Sequence, residues 1–277
     1  MATTVIAHLG PIGTYTEAAA LVYADSINTE TTLLPFNTIA QAIESIDRGQ
    51  ANLAVVPVEN SIEGSVTMTL DTLWRVGQLQ IQQALELPID HTLITTATDL
   101  QAIHTVYSHP QALSQCQDWL GKFLPNAQQI AANSTTAVLH ELSSQPQAAA
   151  ISSPRAANLY QLPILYQGIG DYPENRTRFW VLGRQPAITG SHTSLAFSLS
   201  ANIPGALLGV LEKLARQNIN LSRIESRPAK KSLGDYLFFV DIEADSSEPM
   251  VDKVLKDLTS YVESLQSFGS YYIVGQP

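Results

Sequence analysis

Short apolar runs alternate with amphipathic stretches along most of this 277-residue chain, and each change of period marks an expected element. Val5 to Leu9 is an apolar run closed by Gly10-Pro11-Ile12-Gly13-Thr14, and the periodic stretch Ala18 to Tyr23 follows. This reads as strand, glycine turn and helix start. Leu33 to Phe36 is the next strand. Thr38 and Gln41 make a capping-box pattern, with Ile39, Ala42, Ile43 and Ile46 on one helical face and Gly49 as the stop. Leu53 to Val58 is continuously apolar, as expected of a parallel strand covered on both faces.

From Leu79 to Thr95 the pattern is extended and alternating, which reads as a crossover into a second lobe. That lobe begins with a strand at Val106 to Ser108 and a helix from Pro110. One face of the helix carries Ala112, Leu113, Cys116, Trp119, Leu120 and Phe123. A strand at Gln129 to Ala132, a helix starting near Ser134 and a strand at Ala148 to Ile151 form another unit. Ser152-Ser153-Pro154-Arg155 then opens a helix. Leu165 to Gly170 heads back to the first lobe, where Asn175-Arg176-Thr177-Arg178-Phe179 runs into the buried strand Trp180-Val181-Leu182. Strands alternating with helices and two crossings imply an α/β protein with a cleft between its lobes.

Pro186 to Ser191 reads as a linker. Beyond it come a strand at Leu195 to Leu199, a helix opened by Pro204-Gly205 and strands at Ile219 to Ile224 and Tyr236 to Ile242. A helix at Val251 to Leu265 and a strand at Tyr271 to Val274 complete the series. The β-α-β-β-α-β order is the ferredoxin-like plan and predicts a second domain.

Composition narrows the function classes. A net charge of −10 argues against nucleic acid as a partner. The single cysteine, Cys116, rules out a disulfide framework and a cysteine-based metal site, and its helical position puts it in the core. No apolar run approaches the ~20 residues of a membrane span. The first ten residues lack the features of a signal peptide. The expectation is a cytoplasmic protein of small-molecule chemistry or sensing, with no membrane partner. Histidines 8, 91, 104, 109, 140 and 192 share no ligand spacing, so no metal site is expected.

Charge also singles out one stretch. The first 189 residues hold seven basic side chains, Arg48, Arg75, Lys122, Arg155, Arg176, Arg178 and Arg184, against fifteen acidic ones. Two of the seven flank Thr177, which suggests an anion site, because a guanidinium fork binds a carboxylate bidentately. The competing reading is a strand entry with solvated arginines. The turn at Gly10 to Thr16 offers backbone N–H groups at a helix start, although local sequence favours a capping role for Thr14 and Thr16. Polar residues Glu59-Asn60-Ser61-Ile62-Glu63-Gly64-Ser65 end the strand at Val58, where open α/β sheets bind ligands.

Taken together, these stretches resemble the prephenate dehydratase family over essentially the whole chain. The matching motifs are Gly10-Pro11-Ile12-Gly13-Thr14, Val56-Pro57-Val58-Glu59-Asn60-Ser61 with Gly64, and His109-Pro110-Gln111-Ala112-Leu113. Ser153-Pro154-Arg155-Ala156-Ala157 and Thr177-Arg178-Phe179 complete the set. The carboxyl-terminal part resembles an ACT regulatory domain, through Pro204-Gly205-Ala206-Leu207 and Glu225-Ser226-Arg227-Pro228.

The resemblance implies a two-lobed, periplasmic-binding-protein-like catalytic domain over 1–187, with one lobe at about 1–78 and 168–187 and the other at about 79–167. A ferredoxin-like ACT domain would span 192–277. It implies conversion of prephenate to phenylpyruvate, water and carbon dioxide, in phenylalanine biosynthesis. Aromatisation drives the reaction, so no cofactor is expected. Thr177 would be the central catalytic residue, with Arg178, Asn60, Ser61 and Glu59 beside it. Thr14, Gly13, Phe179, Ser153 and Arg155 would bind substrate. L-Phenylalanine would inhibit from a site at an ACT dimer interface, made by Asn202, Pro204, Gly205, Ala206, Leu207, Glu225, Ser226, Arg227 and Pro228. The expected assembly is a homodimer or homotetramer.

Within that frame, a tight arginine pair on the departing ring carboxylate would slow its loss, so Arg178 is expected on the pyruvyl carboxylate. In a regular strand, however, Thr177 and Arg178 face opposite sides, and both reach a ligand only if the strand entry is irregular. The rival readings are an arogenate dehydratase and a non-catalytic amino-acid sensor.

Overall fold

The computed structural model describes residues 3–132 and 135–275. The first lobe begins with β1 (Thr4–Leu9), α1 (Tyr15–Ser26), β2 (Thr31–Phe36) and α2 (Ile39–Asp47). It continues through β3 (Leu53–Asn60), the short β4 (Gly64–Ser65), α3 (Thr67–Val76) and β5 (Gln80–Pro88). The chain then builds the second lobe from β6 (Thr92–Ile94), β7 (Thr105–Ser108), α4 (Pro110–Ser114) and α5 (Gln117–Phe123). That lobe is completed by β8 (Gln128–Ala131), α6 (Thr135–Leu142), β9 (Ala148–Ser152), α7 (Pro154–Leu159) and β10 (Ile164–Tyr166). The expected helix start at Ser134 lies outside the described residues. The chain returns to the first lobe as β11 (Arg176–Gly183).

β11 enters the first sheet antiparallel, between β3 and β5. The sheet therefore extends through Pro88, beyond the lobe boundary expected near residue 79. The expected 110–123 helix is broken at Gln115 and Cys116. Asp171, on the returning segment, accepts from the N–H groups of Asp118 and Trp119 and so caps α5 as a separate helix.

β11 has two distinct faces. Phe179 and Val181 pack against Ala19, Ala20 and Tyr23 of α1. Trp180 and Leu182 join a core containing residues of α2 and α3 and also Ala196, Phe239, Phe268 and Tyr271 of the carboxyl-terminal domain. That domain comprises β12 (His192–Ser198), α8 (Ala206–Arg216), β13 (Leu221–Pro228), β14 (Tyr236–Ile242), α9 (Pro249–Thr259) and β15 (Ser264–Tyr271). Its sheet order, β13-β14-β12-β15, is the ferredoxin-like arrangement.

Two expectations there are corrected. The second helix stops at Thr259 rather than Leu265, and the fourth strand is Ser264–Tyr271. The last stretch, β16 (Ile273–Gly275), instead pairs in parallel with β5 in the first lobe. The domain is thus tied to the first lobe at both ends.

Candidate active site

A cleft of about 440 Å³ opens between the lobes at the ends of β1, β3, β7, β9 and β11. Its lining includes Thr14, Asn60, His91, Ser108, Gln115, Ser153, Thr177 and Phe179. Among the described residues, no lysine, arginine, aspartate or glutamate lines it.

Thr177 stands directly opposite Asn60 across the β11–β3 pairing. The Asn60 amide has one possible orientation, because its Oδ1 accepts from the N–H groups of Ile62 and Glu63, both at 3.0 Å. Its Nδ2 therefore donates to Thr177 Oγ1 at 2.9 Å and to Asn175 Oδ1 at 2.8 Å. Asn175 Nδ2 in turn donates to Gln115 Oε1 at 2.9 Å, and His91 Nε2 lies 2.9 Å from the same oxygen. Thr177 Oγ1 is thus an acceptor within the protein. Its own O–H finds no acceptor among the described residues and remains for a ligand.

The reason Asn60 reaches the cleft is local. Arg178 pairs with Glu59, but Phe179 pairs with Pro57, so β3 carries one extra residue at Val58. This bulge puts Val58 and Glu59 off the cleft side and turns Asn60 into it. β11 itself alternates regularly, with Thr177 and Phe179 in the cleft and Arg178 on the far face.

Arg178 therefore points away from the cleft, in which it was expected to hold the pyruvyl carboxylate. Its Nε and Nη2 donate to Glu86 Oε1 at 2.9 and 2.7 Å, and its Nη1 lies 3.4 Å from Glu59. Glu59 is likewise off the cleft. The irregularity that the sequence reading required exists, but in β3, where it re-aims the asparagine.

The other expected residues divide. Thr14 lines the cleft and also caps α1, accepting from Glu17 N at 3.2 Å, while Phe179 forms buried wall. Ser61 accepts from Arg176 N at 3.0 Å behind the asparagine network. Gly13, at φ 89°, and Ser153 meet across the lobes, where Ser153 Oγ donates to Gly13 O at 2.9 Å. Arg155 is outside the lining; its Nε donates to Glu17 Oε2 at 3.0 Å, and Gly13 N donates to the same oxygen at 2.7 Å. Burial opposes the charge of Glu17, yet Arg155 and Gly13 together hold its pKa below the ordinary glutamate value. Sequence reasoning missed Glu17, His91, Gln115 and Asn175. Only Asn175 stood in a stretch already singled out. Glu17 meets Gly13 from one helical turn away, whereas His91 and Gln115 are joined to the site by long-range folding. Burial lowers the pKa of His91 and so favours the neutral ring.

In the carboxyl-terminal domain, Gly205 precedes α8 at φ 85° and no side chain caps the helix. The N–H of Ala206 goes to Ile203 O, and those of Leu207 and Leu208 have no acceptor among the described residues. Asn202 and Pro204 are exposed beside this helix start. Glu225, Ser226 and Pro228 lie within the edge strand β13, and no hydrogen bond or ion pair among the described residues joins them to α8. Arg227 is committed elsewhere: it donates from Nε and Nη2 to the two oxygens of Asp71 in α3, at 3.1 and 3.2 Å, and Lys230 adds a contact of 2.7 Å.

No group of three or more histidine, cysteine, aspartate or glutamate residues among the described residues could hold a metal ion. No helix among them is long and apolar enough to cross a membrane.

Comparisons with known proteins place this architecture. A family model for prephenate dehydratase matches residues 6–187, and one for the ACT domain matches 193–259. Prephenate dehydratase of Amycolatopsis methanolica is 37% identical over 270 residues, covering 96% of this chain and 88% of the relative. The Methanocaldococcus jannaschii prephenate dehydratase is 36% identical, covering 94% and 95%. The crystal structure of prephenate dehydratase from Arthrobacter aurescens in complex with L-Phe superposes with a TM-score of 0.88 at 34% identity, covering 97% and 90%. This chain belongs to the prephenate dehydratase family of lyases and carries an ACT domain behind its catalytic lobes.

Proposed function

We propose that the cleft converts prephenate to phenylpyruvate, water and carbon dioxide, and that Thr177 hydrogen-bonds the departing hydroxyl. The observation that carries this reading is the Thr177 hydroxyl, which accepts from Asn60 and keeps its proton for the cleft. Threonine is a very weak acid, so its part is to stabilise charge growing on the leaving oxygen rather than to act as a strong general acid. Asn60, Asn175 and Gln115 fix the direction of that bond before substrate arrives.

The two substrate carboxylates have different needs. The ring carboxylate must leave as carbon dioxide, and a guanidinium gripping it would stabilise the ground state. A lining of neutral donors and apolar walls suits its loss. The pyruvyl carboxylate is held by the start of α1, where the N–H groups of Tyr15 and Thr16 have no acceptor among the described residues. A lining without aspartate or glutamate favours prephenate over arogenate, whose side-chain ammonium calls for an anionic partner.

L-Phenylalanine is the proposed effector. Its carboxylate meets the uncapped start of α8 near Gly205, and Glu225 and Ser226 of a second copy complete the site. An edge strand at β13 supports such pairing, and with it a dimer or a pair of dimers.

Turnover of prephenate and of arogenate by the purified protein at neutral pH, without added metal, tests the reading. Phenylpyruvate formation with little activity on arogenate is expected. Preference for arogenate would overturn the substrate assignment, and no turnover of either would leave a sensor.

A further inference from the structure

We infer that Arg178 is a positioning residue for this reaction, acting through the β3 bulge that aims Asn60 at Thr177. The inference rests on the dehydratase reading and concerns how the site is held.

Arg178 stands opposite Glu86 on β5 and opposite Glu59 on β3, so one guanidinium spans three adjacent strands. It meets both carboxylates, with two hydrogen bonds to Glu86 and one ion pair to Glu59. Glu59 is the residue immediately before Asn60, and Arg178 immediately follows Thr177. The ion pair therefore ties the neighbours of both cleft residues at the point where the register shifts by one.

A bulge of one residue has a regular alternative. If β3 slipped back into plain alternation, Glu59 would face the cleft and Asn60 the core side. That slip would put a carboxylate where a dianionic substrate binds and remove the donor that orients Thr177. The pull of Arg178 on Glu59 from the far face opposes it. The pairing also explains why charge is retained at a strand position whose neighbours in the core are apolar. On the same side the buried Arg223 of β13 stacks over Trp180, 5.1 Å from the ring, and bonds Asp241 at 2.7 Å. The far face of β11 is thus built around fixed charges, whereas no lysine, arginine, aspartate or glutamate among the described residues lines the cleft.

The test is a double-mutant cycle in steady-state kinetics on prephenate, with Arg178→Gln, Asn60→Ala and the pair. Arg178→Gln is expected to lower kcat by about tenfold or more, since small displacements of an aligned group cost that much, and to leave KM within about twofold. In the Asn60→Ala background the same change is expected to alter kcat by less than about twofold, because the group being positioned is gone. Arg178→Lys, which keeps the charge without the fork, is expected to recover part of the loss and covers the case in which Arg178→Gln does not fold. A rise in KM with kcat intact would overturn the inference in favour of direct substrate binding. Additive losses would reduce Arg178 to general structure and overturn it as well. Absence of turnover by the unmodified protein would strike the functional reading itself, and this inference with it.

Discussion

The two faces of β11 are made of different chemistry. Toward the cleft, Thr177 sits in a network of amides that meets a carboxylate only at its far end, where Gln115 Nε2 donates to Glu63 Oε1 at 3.3 Å. Toward the carboxyl-terminal domain, Arg178, Glu59 and Glu86 form an ion-paired ladder, and Trp180 lies under the buried Arg223. A reaction that expels hydroxide and carbon dioxide from a dianion is served by donors that orient without holding fast. The charged face serves another end, fixing strand register and anchoring a second domain. Scarce arginines in an acidic chain mark a structural clamp as readily as a ligand site, and their partners decide which.

The largest effects are expected on the cleft face. Thr177→Val keeps shape and removes the hydroxyl, and kcat is expected to fall about 10²–10³-fold, as for loss of one preorganised donor. Asn60→Ala should cost less in kcat, roughly tenfold to hundredfold by the same principle. It should also lower stability by about 1–3 kcal/mol, because it leaves buried acceptors at Asn175 and Thr177, and denaturant unfolding would measure that.

The contact between α3 and the carboxyl-terminal domain should answer in stability. Asp71→Asn leaves Arg227 without its carboxylate between the domains, and a loss of about 1–2 kcal/mol is expected for this partly exposed pair. A midpoint equal to that of the unmodified protein would show that the contact anchors nothing.

The smallest effect is expected at the cleft mouth, where Glu17 links Gly13 to Arg155. Glu17→Gln should cost about 1 kcal/mol or less, since Arg155 is partly solvated. The sign with pH follows from the depressed folded pKa of Glu17. Its contribution is fully present above the ordinary glutamate value of 4.5 and is lost as pH falls through the lower folded value. The difference in unfolding midpoint between the two proteins should therefore shrink below that pH.

Much of this was legible in the sequence where local rules act. Thr14 and Thr38 cap the helices their spacing predicted, and the βαββαβ order of the second domain stands. The helix at Thr67–Val76 went unread because Val66 precedes it and no side chain caps its start. The final strand was misplaced because β15 is rich in serine and its pairing with β12 shifts register between Thr193 and Leu195, which breaks the alternation. β16 could not be assigned locally, since its partner β5 is almost two hundred residues away in sequence. At the site, Thr177 and Asn60 were found from their motifs. The direction of Arg178 was not, because it depends on a bulge in a different strand. Gln115 and His91 join the network only through contacts between lobes.

Product formation from prephenate by the unmodified protein and by Thr177→Val, assayed side by side at neutral pH, decides whether the Thr177 hydroxyl carries the chemistry. Rapid appearance of phenylpyruvate is expected with the former, and with the latter a kcat lower by about two to three orders of magnitude at nearly unchanged KM. Full activity in Thr177→Val would contradict it, because the chemistry would then lie somewhere other than on the cleft face of β11.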